Sequence, residues 1–328
     1  MRTALTRWLR ALCCGALLAA SWPSSAQSAA DCPPVASALP TAAQLHGGLQ
    51  SARDRGFLWR IDKDGRSSYL YGTVHVGKLE WTIPGTALMQ AVRSSNTIAL
   101  ELDLGDPALV VRLQALMAPK PGHALPPELT ERLRAQLKLA CLPEPLLAEL
   151  APEVLATTLV VMAGRVDGLD PAYAIDAMLA GMGHSLHKSV VSLETPELQF
   201  AVLLGRTPQE TQAIVTQALD ELESGKARPL LTRIARLWAS SNLAELDSYA
   251  QWCDCMNSDE ERAMERRLLD ERNPALAERI DALHAAGQRV FAAVGSLHMI
   301  GPLGLPALMA QRGYRVERVV FGPSTHAQ

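Results

Sequence analysis

The sequence predicts an α/β fold: a mixed, mostly parallel central sheet with flanking helices and a large helical insertion. Three observations predict it. Short runs rich in β-branched and aromatic residues alternate with amphipathic stretches at both ends of the chain, the pattern of strands joined through helices. Helical periodicity dominates the middle, over about residues 105–185 and 195–286. Finally, two strand-like runs flank Lys63-Asp-Gly-Arg66, and an Asp-Gly turn there makes them an antiparallel hairpin.

Taken in order, Phe57-Leu-Trp-Arg-Ile-Asp62 is the first strand and residues 68–75 return across the turn. Residues 97–103 (TIALELD) form the third strand, 189–194 the fourth, 289–295 the fifth and 315–321 the sixth. A short helix is predicted over 86–94. Residues 107–117, 127–140 and 152–163 carry apolar side chains at three- and four-residue spacing. Residues 170–181 open on Asp-Pro, a helix start. Helices over 194–204, 207–224, 227–240, 243–253, 259–270 and 274–286 complete the set. Residues 27–52, rich in Ala, Ser, Pro and Gln, read as an irregular lead-in to one domain over 53–323.

The first 26 residues read as a secretory signal peptide. Arg2, Arg7 and Arg10 precede the apolar run ALCCGALLAA, and Ser24-Ser-Ala26 is a small-residue cleavage site, with Ser28-Ala-Ala30 as a second option. That run is about half the roughly 20 residues a membrane span needs. The other apolar stretch, 146–164, contains Glu149, Pro152 and Glu153 and reads as a buried helix after a proline break. The mature chain is therefore expected in the periplasm or secreted, without a transmembrane segment. A net charge of −3 without a basic stripe gives no sign of a nucleic-acid surface, and no nucleic-acid partner is expected. Cys13 and Cys14 leave with the signal. Cys32, Cys141, Cys253 and Cys255 remain in an oxidising compartment, where one or two disulfides are expected. One residue separates Cys253 from Cys255, so each is expected to pair elsewhere; Cys-Asp-Cys lacks the second thiol pair of a metal site.

The chemistry sits in two stretches with one grammar. YLYGTVHVG (69–77) and RVFAAVGSLHMIG (289–301) each run from an apolar strand through Gly, two residues and His to Gly. A core strand needs neither residue; a site does, because glycine lets another group approach. In open α/β sheets the ligand crevice lies at the carboxyl ends of strands. His75, His298, Glu101 and Glu194 all fall at or near strand ends. Two neutral imidazoles with one or two carboxylates suit a divalent metal, and equally a metal-free general-base pair. Each has a bland reading: a hydrogen-bonded structural histidine, a half-exposed strand for Glu101, a first-turn acid for Glu194. His184 and His187 read as surface loop, and His46, His123, His284 and His326 lack supporting context. The arginine-rich stretch 261–272 reads as a solvated helix face, from which Arg272 and Asn273 could instead reach the rim. There is no HExxH, Gly-x-Ser-x-Gly, Walker or Rossmann motif.

In their order and spacing, YLYGTVHVG, ALELD, GLDPAYAIDAML, VSLETPELQ, LLDERN and VFAAVGSLHMIGPLGLPALMAQRGYRVERV resemble the TraB/GumN family, the superfamily that includes the Tiki proteases. The resemblance covers about residues 55–322. It implies a mixed α/β core similar to erythromycin-esterase and ChaN-like proteins, and a metal-dependent hydrolase, peptidase-like, using manganese, cobalt or zinc. It implies His75, His298 and Glu101 as metal ligands, Gly72 and Gly295 as structural motif glycines, and Arg272 and Asn273 as an Arg-Asn block. With Glu194 added from its strand-end position, the candidate catalytic residues are Glu101, Glu194, Arg272 and Asn273, Glu101 or Glu194 serving as general base if it is not a ligand. The expected substrate is a peptide or another small polar molecule. The alternatives are a metal-free esterase-type hydrolase, a haem-binding protein, and a non-catalytic envelope partner linked to polysaccharide export.

Overall fold

A computed structural model describes residues 32–36, 41–50 and 52–322; the signal segment 1–26 lies outside the described residues. The chain is α/β. Six strands form one sheet, β1 (Phe57–Lys63), β2 (Arg66–Thr73), β3 (Thr97–Leu100), β4 (Ser189–Ser192), β5 (Val290–Gly295) and β6 (Arg315–Val319), in the order β4-β3-β5-β2-β1-β6. The four strands from β4 to β2 are mutually parallel, while β1 is antiparallel to both β2 and β6. All six match expected strands. β5 reads Val-Phe-Ala-Ala-Val because both its faces are covered; such strands lack polar alternation.

The Cα packing divides the chain into two compact units. One contains the sheet: the described parts of Leu39–Asp103, Tyr173–Thr195 and Arg233–Gln328. Phe57, Ile61, Leu70, Tyr71, Ile98, Phe291 and Val294 are almost wholly buried there, each contributing about 1.5–3 kcal/mol of transfer free energy. Helices Thr86–Ser94, Ile175–Ser185 and Asn273–Ala285 supply Val92, Leu179 and Ile280 to the same core.

The other unit is helical: Leu104–Ala172 and Pro196–Thr232, with residues 32–36. Its helices Pro107–Met117, Pro127–Leu139, Pro152–Met162 and Pro208–Glu223 each open on proline, whose fixed φ suits the first turn and whose missing N–H costs nothing there. Leu133, Leu137, Leu155, Leu159, Val215 and Leu219 interlock at four-residue spacing. Glu153 is buried among them and is satisfied by the Gly205 N–H and the Thr211 hydroxyl. Of the helices over 105–185 and 195–286, Ile175–Ser185 and those within 233–286 fall in the unit that contains the sheet.

Several expectations need correction. The lead-in is not wholly irregular: Ala42–Gln50 is a helix, favoured by Ala, Gln and Leu despite its two glycines. The helix expected at Asp170 begins at Ile175. The Asp170 carboxylate caps a short 3₁₀ turn, Pro171–Tyr173, and the chain is then redirected where the Ile175 N–H donates to the Val74 carbonyl at 3.0 Å. His184 is not a loop residue; it lies on that helix, its Nε2 3.0 Å from the buried Asp103 carboxylate. Cys253 does pair with Cys255. The left-handed φ of 51° at Asp254 turns the chain back and brings the two Cα atoms within 5.1 Å. The second disulfide, Cys32–Cys141, joins residues 109 apart within the helical unit.

Candidate active site

Register builds the site. In the parallel pair β2–β5, Gly72 lies opposite Val294 and Thr73 opposite Gly295, so the two Gly-x-x-His segments leave neighbouring strands at the same edge and nearly level. Gly72 is required by this closeness, since a Cβ there would lie 3.0 Å from Ser296 Oγ and 3.2 Å from Ser296 Cα. The Ser296 hydroxyl in turn donates to the Thr73 carbonyl at 2.7 Å and ties the two loops together. β3 runs parallel to β5 on its other side and ends at Leu100, which places Glu101 beside Gly295. β4 follows, and the Glu194 N–H donates to the Glu101 carbonyl at 3.1 Å. All four residues therefore share the carboxyl edge of the sheet.

The carboxylates meet a single arginine. Arg272, at the start of helix Asn273–Ala285, donates from Nε to Glu194 Oε1 at 2.8 Å and from Nη2 to Glu101 Oε2 at 3.0 Å; Nη2 also reaches Glu194 Oε2. Its side chain is 14 % exposed, and those of Glu101 and Glu194 are 10 % and 6 % exposed. The half-exposed strand reading of Glu101 and the solvated reading of Arg272 therefore do not hold. Glu101 Oε1 accepts the Gly295 N–H at 2.7 Å. Burial works against the Glu101 charge, but His75, His298, Arg272 and that N–H outweigh it and hold the carboxyl down at about 2.

Each imidazole is oriented through Nδ1. His298 is 4 % exposed and its Nδ1 lies 2.6 Å from Asn273 Oδ1. The Asn273 amide nitrogen donates to the Leu303 carbonyl at 2.8 Å, which fixes the amide with its oxygen toward the ring. Nδ1 of His298 therefore carries the hydrogen and Nε2 keeps its lone pair. Nδ1 of His75 lies 3.2 Å from the Asp176 carboxylate, on the first turn of helix Ile175–Ser185. Asp176 holds His75 above the usual histidine range; with 60 % of that side chain exposed, water screens part of the attraction. Nδ1 donation to an acceptor is how imidazole ligands are commonly presented to metals. Asp176 and the Asp103–His184 pair were not selected from sequence. Asp176 stands in the GLDPAYAIDAML block, but nothing local connects it with a histidine 101 residues away.

Gly295 tests whether a metal suits the place. A Cβ there would stand 3.3 Å from Glu101 Oε1, 3.6 Å from His298 Cδ2 and 3.8 Å from His75 Nε2. One point thus has a carboxylate and two imidazoles around it, with no side chain filling it, and their donor chemistry fits a divalent ion. They are not drawn into a finished cage: among the described residues, no group of three or more His, Cys, Asp or Glu side chains is placed to hold an ion. Both Glu101 oxygens accept a hydrogen bond as they stand, from Gly295 and from Arg272.

Burial pushes His298 down to about 4. The unfolded chain therefore binds more protons than the folded one between about pH 6.5 and 4. Stability is full above that window and falls as pH drops through it. In chelator-treated protein the expected His298 contribution to that loss is about 2 kcal/mol between pH 7 and pH 5. Urea unfolding of wild type beside His298→Asn checks it. The pH-dependent loss should shrink by that amount in the variant, whereas an equal loss in both would remove burial of neutral His298 as its cause. His75 has the opposite sign but is common to both proteins.

Residues 57–318 match the model of the TraB/PrgY/gumN family. The chain belongs to this family. It is also similar to the metalloprotease TIKI1 of Danio rerio, at 26 % identity over 320 residues covering 82 % of this chain and 64 % of that protein. The metalloprotease TIKI2 of Danio rerio matches at 25 % identity over 312 residues, covering 80 % of this chain and 60 % of that protein. The chain thus spans less than two thirds of the length of either relative. No solved structure matches it. Within this TraB/PrgY/gumN chain, no helix of the described residues is long and apolar enough to cross a membrane. The two disulfides are compatible with an extracytoplasmic location.

Proposed function

We propose that this TraB/PrgY/gumN-family chain is a metal-dependent hydrolase of peptide-like substrates, acting in the periplasm or outside the cell after removal of residues 1–26. One observation carries the reading: Glu101, His75 and His298 surround the space left by Gly295. The relatives named as metalloproteases support it. His75, His298 and Glu101 would hold manganese, cobalt or zinc, which supplies Lewis-acid polarisation of a scissile carbonyl and a more acidic water.

The chain's own residues do the rest. Asp176 and Asn273 fix the two rings with Nε2 toward the site. Arg272 ties Glu101 to Glu194 and, with His75 and His298, keeps Glu101 ionised, so the pair presents fixed negative charge to the site; whichever carboxylate is not a ligand would accept the proton of water. A metal-free reading has its own support, since Glu101 is already engaged by Arg272 and Gly295. There, one imidazole activates water and Glu101 orients it.

A peptide-library digest with mature protein tests the proposal. Cleavage is expected to be lost with chelator and restored by manganese, cobalt or zinc. Chelator-resistant cleavage would instead support the metal-free reading. No cleavage with any ion would overturn the peptidase.

A further inference from the structure

The Cys253–Cys255 disulfide is not placed to stabilise the fold. A cross-link stabilises chiefly by removing loop entropy from the unfolded chain, and the gain grows with the loop it closes. Cys32–Cys141 closes a loop over a separation of 109, whereas Cys253–Cys255 spans two. The residue between them, Asp254, is held at a φ of 51°, a region that non-glycine residues enter at a cost. The fold therefore gains little from this bond and maintains an unfavourable backbone to keep it.

The two sulfurs differ in their surroundings. Cys253 ends helix Tyr249–Trp252 and is 5 % exposed. Cys255 is half-buried and sits next to the exposed Asp254. Its Sγ lies 3.3 Å from the Tyr249 hydroxyl, which is the hydrogen donor of that pair while the disulfide stands. Tyr249 is itself fixed edge-on against Trp252, with ring centroids 5.2 Å apart. A fixed O–H directed at a sulfur also stabilises the thiolate formed when the bond opens. Cys253 Sγ has a donor too, the Cys255 N–H at 3.3 Å; what sets Cys255 apart is accessibility together with a side-chain O–H, while Cys253 is sequestered.

We propose that Cys253–Cys255 is a thiol–disulfide exchange site for an external dithiol, with Cys255 as the reacting sulfur and Cys253 as the resolving one. In the reducing direction, a partner thiolate attacks Cys255 Sγ. The Cys253–Cys255 bond breaks, and Cys253 leaves with the electron pair and takes up a proton. The partner's second thiol, losing its proton, attacks the mixed disulfide, and Cys255 leaves and is protonated in turn. Two electrons pass from the dithiol, which becomes a disulfide, to the cystine, which becomes two thiols. The oxidising direction is the reverse, with the mixed disulfide again on Cys255.

The test has two arms. Mature wild-type protein is titrated with dithiothreitol, and opened cysteines are alkylated and located by mass spectrometry. Cys253 and Cys255 should label at about tenfold less dithiol than Cys32 and Cys141, with circular dichroism unchanged. Opening of both bonds together, or only as the fold is lost, would overturn the proposal. In the second arm, Cys253→Ser and Cys255→Ser are incubated with oxidised glutathione. Cys253→Ser should take one glutathione on Cys255, about tenfold faster than Cys255→Ser takes one on Cys253. Equal rates, or the reverse order, would remove the assigned roles. The wild-type titration stands by itself if either variant folds poorly.

Discussion

Replacing Arg272 with alanine is expected to destabilise the protein by about 3–5 kcal/mol, the cost of leaving buried carboxylates without their cation. Glu101 and Glu194 share this one guanidinium, and their side chains are 10 % and 6 % exposed. Water cannot replace the lost partner there. Glu101 would retain the Gly295 N–H, but Glu194 would lose both of its contacts to Arg272. Lysine should recover part of the loss, since it restores the charge without the planar fork that spans two carboxylates. Urea unfolding curves of wild type, Arg272→Ala and Arg272→Lys decide this. A change below about 0.5 kcal/mol in the alanine variant would mean the cluster is solvated in solution.

The second large effect is on activity. Glu101→Gln should lower peptide hydrolysis by about 10²–10⁴-fold while leaving the chain folded. Glutamine keeps an oxygen for the Gly295 N–H at Oε1 and preserves the side-chain volume. It removes the negative charge that faces His75 and His298. Glu194 still engages Arg272 in this variant, so the stability loss should be smaller than for Arg272→Ala. Matched measurements of kcat/KM and of the unfolding midpoint separate the two roles. Unchanged hydrolysis in a folded Glu101→Gln protein would shift the catalytic carboxylate to Glu194.

Much of this arrangement was legible in the sequence because it is local. β2 and β5 announce themselves by apolar runs that end in Gly-x-x-His, and the Asp-Gly turn at 64–65 fixes the hairpin. Once two parallel strands are assigned, their carboxyl ends must share an edge, so the meeting of His75 with His298 follows from topology. Long-range pairing was not legible. Nothing near Asp176 indicates His75, and nothing near Asp103 indicates His184; both contacts arise because helix Ile175–Ser185 packs on the sheet. Arg272 looked like one of several surface arginines in a charged helix. Its burial depends on helix Asp259–Leu268 ending first, so that Arg272 starts the next helix at the sheet edge. The Cys253–Cys255 bond was misjudged for a related reason. Spacing alone disfavours it, and it takes the left-handed Asp254 to bring the sulfurs together.

The most direct test of the proposed centre is the metal content, by plasma mass spectrometry, of protein produced without residues 1–26, with wild type beside His75→Ala and His298→Ala. About one manganese, cobalt or zinc per chain, lost in both folded variants, is the expected result. Wild-type protein that takes up none of these ions after incubation with each would contradict a divalent-metal centre at His75, His298 and Glu101.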